Sequence, residues 1–240
     1  MPLSQPNSKT MLNCLLATMA LVSAGIMLIA STDPIVPSLS GTELASVLDL
    51  FGPRKQIAFD LSVGVLSAIG MFFLLVRLPE WERKNRIKRH LQSSYESFKR
   101  ANIAIFLGAI QEPLSRELAE QLMEQNRFQD FFQKPYAPGQ NKWHGVANNM
   151  NDFMLRQIVL EAEVLHSELQ YALSIIDVSD HEFFTFMKNF STTLYRAKNW
   201  SSDYEGTKEV LSFFWSIFTG WSFAEGYSDH EFFPRMISKL

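Results

Sequence analysis

Two copies of one acidic, histidine-containing hexapeptide are the feature of this sequence that could do chemistry. Ser-Asp-His-Glu-Phe-Phe occupies Ser179–Phe184 and again Ser228–Phe233. Histidine and carboxylate side chains are common metal ligands. Consecutive residues of a helix, however, point about 100° apart, so one copy cannot direct its Asp, His and Glu at the same ion. A metal site would require both copies to converge, and we predict no metal site.

The position of both copies in the chain favours a structural role, because each follows the end of one helical pattern and precedes another. A serine N-cap followed three residues later by glutamate forms a capping box, which satisfies backbone N–H groups at a helix start. The preceding Val178 or Tyr227 can pack on Phe183 or Phe232, as in a hydrophobic staple. We therefore predict two helix starts, capped by Ser179, Glu182, Ser228 and Glu231.

Three further residues complete the prediction for the repeat. His181 and His230 would stand at the second helical position, beside unpaired backbone N–H groups that disfavour an imidazolium, so we expect both to be neutral and exposed. Pro234 is expected to end or kink the second helix early, because a proline inside a helix removes a hydrogen bond.

The elements that must position these copies begin with two apolar segments. Met11–Ala30 contains no charged residue, and Ile57–Leu78 is interrupted only by Asp60 and Arg77. About 20 apolar residues suffice for a helix to cross the hydrocarbon core of a bilayer. A cleaved signal peptide is the alternative for the first segment, but its apolar run exceeds the usual 7–15 or so residues. We predict two transmembrane helices.

Basic residues next to the spans predict their orientation, since cytoplasmic flanks are enriched in Lys and Arg. The connecting segment Ser31–Gln56 contains only Arg54 and Lys55, against three acidic residues. It also contains a short amphipathic helix, Leu44–Phe51, expected at the outer interface. A juxtamembrane collar follows the second span and consists of Arg83, Lys84, Arg86, Lys88 and Arg89. The pattern predicts a bacterial inner-membrane protein with both termini in the cytoplasm.

The remainder of the chain shows helical periodicity. Apolar residues recur at helical spacing to about Ala109, after a break or kink at Pro79. A second helix is predicted from Pro113 to about Gln133, a polar loop over Lys134–Asn149 and a helix over 151–177. The predicted fold class is all-α, two transmembrane helices followed by a cytoplasmic helical bundle. The predicted boundaries are 1–10 (cytoplasmic), 11–30 (first span), 31–56 (outside loop), 57–78 (second span) and 79–240 (cytoplasmic domain).

Charge and aromatic content indicate what the cytoplasmic part can bind and which of its segments are buried. Residues 1–90 hold nine Lys/Arg and six Asp/Glu, a net +3, whereas residues 91–240 hold thirteen and nineteen, a net −6. An acidic surface repels nucleic acid, so no direct nucleic-acid binding is expected outside the basic collar. The uncharged, aromatic stretch Val210–Ala224 is too short to span a bilayer, which leaves a core helix, the favoured reading, or a membrane-associated segment.

One face of the second span combines Asp60, Gly64 and Ala68. Small residues let membrane helices approach closely, and an intramembrane carboxylate is a candidate functional group. The alternative is that Asp60 only reaches lipid headgroups or Lys55 from the outer end of the span. Both interpretations remain open from the sequence. The only cysteine, Cys14, lies in the first span, so no intrachain disulfide is possible.

Catalytic signatures are not found: the sequence has no phosphate loop, no G-x-S-x-G and no cysteine outside the first span. We expect neither an enzyme nor a cofactor.

In plan, with two spans followed by a small cytoplasmic domain, the chain resembles the two-transmembrane effectors of bacterial antiphage systems linked to retrons or cyclic nucleotides. That resemblance implies perturbation of the host membrane after a trigger. The expected partners are the bilayer, further copies of the chain, and a cytoplasmic protein or nucleoprotein; a constitutive membrane-anchored scaffold is the alternative.

Overall fold

A computed structural model describes residues 8–30, 55–175, 181–201, 203–222, 226–228 and 231–238. The described residues are mostly helical, as predicted, and the chain divides into an N-terminal unit, Met1–Glu82, and a C-terminal unit, Arg83–Leu240. The helices in chain order are α1 (Ser8–Ala30), α2 (Lys55–Phe72), α3 (Leu78–Ala109), α4 (Arg116–Gln121), α5 (Gln125–Gln133), α6 (Lys142–Asn149), α7 (Asp152–Ile175), α8 (His181–Arg196), α9 (Tyr204–Thr219) and α10 (Phe232–Ser238).

The N-terminal unit contains a pair of helices, α1 and α2, that pack against each other. The Arg77 guanidinium, five residues beyond the end of α2, donates to Asn13 Oδ1 near the start of α1, so the two helices run antiparallel. Both are long and apolar enough to cross a membrane. Their large apolar side chains are mostly exposed, for example Leu21 at 75% and Leu61 at 68%, as expected for surfaces that face lipid. The predicted outside loop lies beyond the described residues, except for Lys55 and Gln56.

Of the break or kink predicted at Pro79, the break does not occur. A π-helical segment, Phe73–Arg77, precedes α3, and the Leu78 N–H bonds to the carbonyl of Phe73, five residues earlier. Proline lacks an N–H and its ring crowds the carbonyl four residues before it, here that of Leu75. The wider π turn accommodates this defect, so helical structure continues through Pro79 into α3.

The C-terminal unit has an aromatic core. Helix α3 runs to Ala109 as predicted, and its buried residues recur at three- and four-residue spacing. Rings from α3, α5 and α9 contact one another: Phe98 stacks on Phe214 with centroids 5.7 Å apart, and Phe128 lies 5.4 Å from Phe218. Six phenylalanines from these helices are almost inaccessible to solvent, namely Phe98, Phe106, Phe128, Phe132, Phe214 and Phe218.

The stretch Val210–Ala224 belongs to this core as far as it is described. Val210, Phe214 and Phe218 of α9 are 0% exposed. The helix ends at Gly220, whose φ of 65° is the left-handed conformation that favours glycine at a helix C-terminus. Strand β3 (Trp221–Ser222) then pairs with β4 (Gly226–Tyr227). The core reading is therefore the correct one for residues 210–222, and Ala224 lies outside the described residues.

Two sequence predictions for the middle of the chain were wrong. The helix predicted from Pro113 begins at Arg116 instead, because Ser115 Oγ accepts from the Leu118 N–H at 3.0 Å and fixes the start there. A turn also divides the predicted helix into α4 and α5. The stretch predicted as a loop over 134–149 contains β1 (Pro135–Ala137), β2 (Gln140–Asn141) and α6.

Helix α6 forms in that predicted loop for two reasons, a local cap at its start and a tertiary contact with the aromatic core. Asn141 Oδ1 accepts from the His144 N–H at 2.9 Å, and His144 Nδ1 accepts from the Asn141 N–H at 3.4 Å, a reciprocal cap. Trp143 then packs on Phe106 and Phe132, with ring centroids 5.2 and 5.3 Å away. Core contact therefore stabilises a helix in which half of the residues are polar.

Candidate functional site

The predicted face of the second span lies on the side of α2 that is turned away from α1. Asp60, Gly64 and Ala68 are all exposed, whereas Ser62, on the opposite side of the helix, is 4% exposed. A Cβ added at Gly64 would meet nothing within 4 Å. Packing within the N-terminal unit therefore uses a different face of α2 and leaves this small-residue face uncovered.

The basic collar lies at the start of the C-terminal unit, on α3. Its five residues are successive or nearly so and point in different directions around the helix, and Arg83, Arg86 and Arg89 are exposed. Lys88 Nζ donates to the Ser238 carbonyl of α10 at 3.1 Å, while Arg89 Nε donates to the Asn85 carbonyl on its own helix at 3.3 Å. Lys84 and Lys88 are half-buried. The collar is thus a basic segment rather than one flat basic face.

The two copies of the hexapeptide adopt different local structures. Helix α8 begins at His181, close to the predicted start, and His181 and Glu182 are exposed. Helix α10 begins only at Phe232, so Glu231 precedes the helix instead of standing three residues into it. The predicted N-cap Ser179 and its neighbour Asp180 lie outside the described residues, as do Asp229 and His230 of the second copy. The predicted cap of the first copy therefore stays a prediction.

Burial of the phenylalanines is opposite in the two copies. In the first copy Phe183 is 1% exposed and Phe184 is 40% exposed, whereas in the second copy Phe233, the counterpart of Phe184, is 1% exposed. The later start of α10 also places Pro234 at its third residue. A proline in the first turn loses no intrahelical hydrogen bond, so the predicted early end does not occur and α10 continues to Ser238.

Glu231 belongs to a buried polar network that the sequence reasoning missed. Its Oε1 accepts from Lys99 Nζ, and its Oε2 accepts from the Tyr95 hydroxyl at 3.1 Å. Lys99 Nζ also donates to the Met123 carbonyl at 2.9 Å and lies 5.2 Å from the centroid of the Phe218 ring. The side chains of Lys99 and Glu231 are 1% and 12% exposed. We call Tyr95, Lys99 and Glu231 the buried triad.

Burial and mutual charge set the protonation of the buried triad. Burial raises the pKa of Tyr95 well above its usual value, and the Glu231 carboxylate raises it further. Burial lowers the pKa of Lys99, an effect that the Glu231 carboxylate opposes. Tyr95 therefore remains a neutral donor around neutral pH. Lys99 is enclosed by Glu231, a backbone carbonyl and an aromatic ring, an arrangement that suits a structural ion pair.

The triad fastens the C-terminal segment onto α3. Beside it, the Phe233 ring stacks on Tyr95 with centroids 4.3 Å apart and lies 5.1 Å from the Phe190 ring. Gln125 Nε2 donates to the Thr219 carbonyl at 2.8 Å and to the Ser228 carbonyl at 2.6 Å. The Gln125 Oε1 atom is buried and has no hydrogen-bond partner among the described residues. The segment is thus held by a charge pair, stacked rings and an amide clamp.

A cavity of about 840 Å³ opens beside the triad, between α3, the turn that joins α4 to α5, and α10. Its walls combine the charged side chains of Glu96, Arg100 and Arg235 with the aromatic ring of Tyr95 and the amide of Gln125. This volume lies within the range of small-molecule pockets, roughly 300–1,000 Å³. Among the described residues, no group of three or more His, Cys, Asp and Glu side chains could hold a metal ion.

A weak signal for the triad exists in the sequence. Lys99 lies four residues after Tyr95, on the same helical face as the apolar residues of α3, and a lysine on an apolar face requires a partner when buried. The identity of that partner, 132 residues later, has no sequence signal.

No protein family matches the sequence, and neither a curated protein nor a solved structure shows significant similarity to the chain.

Proposed function

We propose that the protein is a membrane effector that self-associates through the Asp60–Gly64–Ala68 face of α2 and perturbs or depolarises the bacterial inner membrane when a cytoplasmic partner or signal triggers it. The observation that carries the proposal is the exposure of this face on a helix long enough to span a membrane. The face is turned away from α1, so it remains available to a second copy.

Physical chemistry favours this face as the contact between copies. Lipid tails give membrane helices no hydrophobic reason to associate, so close packing of small residues and polar contacts must supply the attraction. Gly64 and Ala68, one helical turn apart, present a flat surface. In a closed oligomer the Asp60 carboxylates would form an acidic ring, and acidic rings select cations at a pore mouth.

The proposed topology places both termini in the cytoplasm. The contact between Arg77 and Asn13 supports an even number of spans, since it brings the start of α1 and the end of the second helix to the same end of the pair. The Lys/Arg enrichment that follows residue 82 favours a cytoplasmic location for this end under the positive-inside rule.

The proposed trigger acts on the C-terminal unit. Helix α3 follows the second span without a break in helical structure and carries Tyr95 and Lys99 of the buried triad. A partner that releases the C-terminal segment would remove the packing on α3. A soluble partner could thereby change the constraint on the helix that continues from the membrane.

Leakage assays in bacteria test the proposal. Gly64→Leu should prevent close packing and abolish membrane depolarisation while the protein still inserts, and Asp60→Asn should preserve the oligomer but reduce cation passage. Gly70→Leu is the matched control, because Gly70 is also exposed on α2 with open space around it but lies off the proposed face. Membrane-potential dyes measure depolarisation, and crosslinking of intact membranes measures oligomer formation.

A second candidate function is a constitutive membrane-anchored scaffold that recruits a cytoplasmic partner, and the cavity beside the buried triad favours it. Under this alternative the spans are only an anchor. Equal dye leakage and equal oligomer size for Gly64→Leu, Gly70→Leu and the unaltered protein would reject the effector proposal and support the scaffold.

A further inference from the structure

Helix α7 carries apolar side chains on two opposite sides, and only one side is buried. The buried side consists of Leu155, Ile158, Ala162, Leu165, Leu169 and Ala172. On the other side, Phe153, Leu160, Val164 and Tyr171 are 67%, 52%, 53% and 56% exposed. A helix with one solvated side would carry polar residues at such positions. Burial of the first side fixes the orientation of α7 in the C-terminal unit, so the second side stays exposed to solvent.

The exposed apolar residues recur at heptad spacing. If Phe153 occupies position d, Leu160 and Ser167 follow at d, while Val164 and Tyr171 occupy position a. Apolar residues at a and d form the surface through which two helices make a coiled coil. The α7 seam is the set of exposed a and d residues, Phe153, Gln157, Leu160, Val164, Ser167, Tyr171 and Ser174.

We propose that the α7 seam is a homodimer interface, in which α7 of a second copy packs parallel and in register. Valine at a with leucine at d, as at Val164 and Leu160, favours a parallel two-stranded pair. A polar residue at an a position fixes the register, and Gln157 would meet its own counterpart across a two-fold axis. The inference concerns the C-terminal unit and does not depend on association of the spans.

Charged residues beside the seam fit the parallel arrangement. In a parallel pair, a residue at position g faces the residue at position e of the next heptad on the other helix. This rule sets Arg156 against Glu161 of the other copy, an attractive pair that occurs twice by symmetry. The next pair, Glu163 with Glu168, is like-charged and also occurs twice by symmetry. Each of its carboxylates already contacts a basic side chain of its own copy, Glu163 the Lys198 ammonium at 3.6 Å and Glu168 the His90 Nε2 at 2.6 Å, which reduces the repulsion.

The size of the seam suits a contact between anchored copies. An aromatic side chain has about 150–250 Å² to bury, so the exposed parts of Phe153 and Tyr171 contribute roughly 250 Å² per copy. A specific interface buries about 800 Å² per partner. The seam is therefore too small for a tight dimer in dilute solution. Confinement of two copies to one bilayer raises their effective concentration, which favours such a contact.

Single-cysteine crosslinking of the full chain in bacterial membranes tests the arrangement. In a Cys14→Ser background, Ser167→Cys places a thiol at position d of the seam. A mild added oxidant joins two such thiols into a disulfide and accepts the two electrons that the thiols lose as their protons leave. Parallel, in-register pairing predicts a covalent dimer. Ser97→Cys, at an exposed position of α3 away from the seam, is the matched control.

Substitutions on the seam should abolish the crosslink. Leu160→Glu in the Ser167→Cys background should lower the dimer fraction about tenfold, the usual effect of losing an interface anchor. Leu114→Glu, the same change at a leucine that is 60% exposed elsewhere, should leave it unchanged. The proposal is wrong if Ser167→Cys gives no more dimer than Ser97→Cys. Crosslinking only in a mixture with Gln157→Cys would also overturn it, because antiparallel pairing sets position 157 against 167.

Discussion

Replacing Glu231 by glutamine preserves the shape of the side chain but removes the charge that faces Lys99. The Lys99 side chain is 1% exposed, so its ammonium would be left buried without a counterion. Removing one partner of a buried ion pair costs about 3–5 kcal/mol. Loss of the lysine proton limits this penalty, since neutralising a lysine of ordinary pKa at pH 7 costs about 4.6 kcal/mol. We therefore expect Glu231→Gln to destabilise the C-terminal unit by about 3–4 kcal/mol.

Thermal unfolding of the purified full chain, followed by tryptophan fluorescence, measures this loss. For a domain of this size, 1 kcal/mol shifts the unfolding midpoint by roughly 2–4 °C, so Glu231→Gln should lower it by roughly 6–16 °C. Glu120→Gln is the matched control. Its carboxylate pairs with Arg100 at 3.2 Å, but both side chains are about half exposed, so the expected loss is below about 1 kcal/mol.

The double variant decides whether the charge pair is the cause. Lys99→Met removes the orphaned ammonium, so Lys99→Met with Glu231→Gln should be more stable than Glu231→Gln alone. Additive losses in the double variant would refute the reasoning, because two independent sites would then have been disturbed.

The pH dependence of Glu231→Gln gives a second readout. Burial lowers the pKa of Lys99 in the folded protein below its unfolded value. Between these two pKa values the unfolded chain binds more protons, so stability rises with pH. Removing the Glu231 carboxylate, which opposes the lowering, should widen this window. The stability of Glu231→Gln should therefore recover from pH 7 towards pH 9.5 or so more than that of the unaltered protein.

Three further predictions concern the tyrosine, the first hexapeptide and the topology. Burial raises the pKa of Tyr95 above its unfolded value, so its contribution is present below pH 10 or so and is lost at higher pH. Tyr95→Phe should cost about 1.5–3 kcal/mol at neutral pH and reduce the alkaline loss, measured by unfolding between about pH 9 and 11. Ser179→Ala should cost about 1 kcal/mol and Ser179→Asp should restore most of it, by the same unfolding assay. In Cys14→Ser chains, an impermeant thiol reagent should label Ser46→Cys but not Ser93→Cys in intact cells; the reverse pattern would overturn the topology.

The amino-acid sequence determined the elements whose signal is local. Two long, predominantly apolar runs are sufficient to predict the apolar helices, because any such run must avoid water. The boundaries of α3 and α7 follow from apolar residues that recur every three or four positions. Helix α3 ends at Ala109 as expected, and α7 begins at Asp152, one residue from its predicted start. The cap at Ser115 was also readable, since a serine N-cap depends on neighbours only three residues away, but Pro113 was favoured as the start.

Tertiary structure decided the features that depend on residues far apart in the chain. Two identical hexapeptides bury opposite phenylalanines, Phe183 in one and Phe233 in the other, so their burial is set by what surrounds each copy. In the second copy, Glu231 contacts Lys99, which lies 132 residues earlier in the chain, and stands just before the first residue of α10. Leaving the buried Lys99 ammonium without its partner costs about 3–5 kcal/mol, whereas losing one capping bond costs about 1 kcal/mol, so the contact with Lys99 takes precedence over a capping role for Glu231.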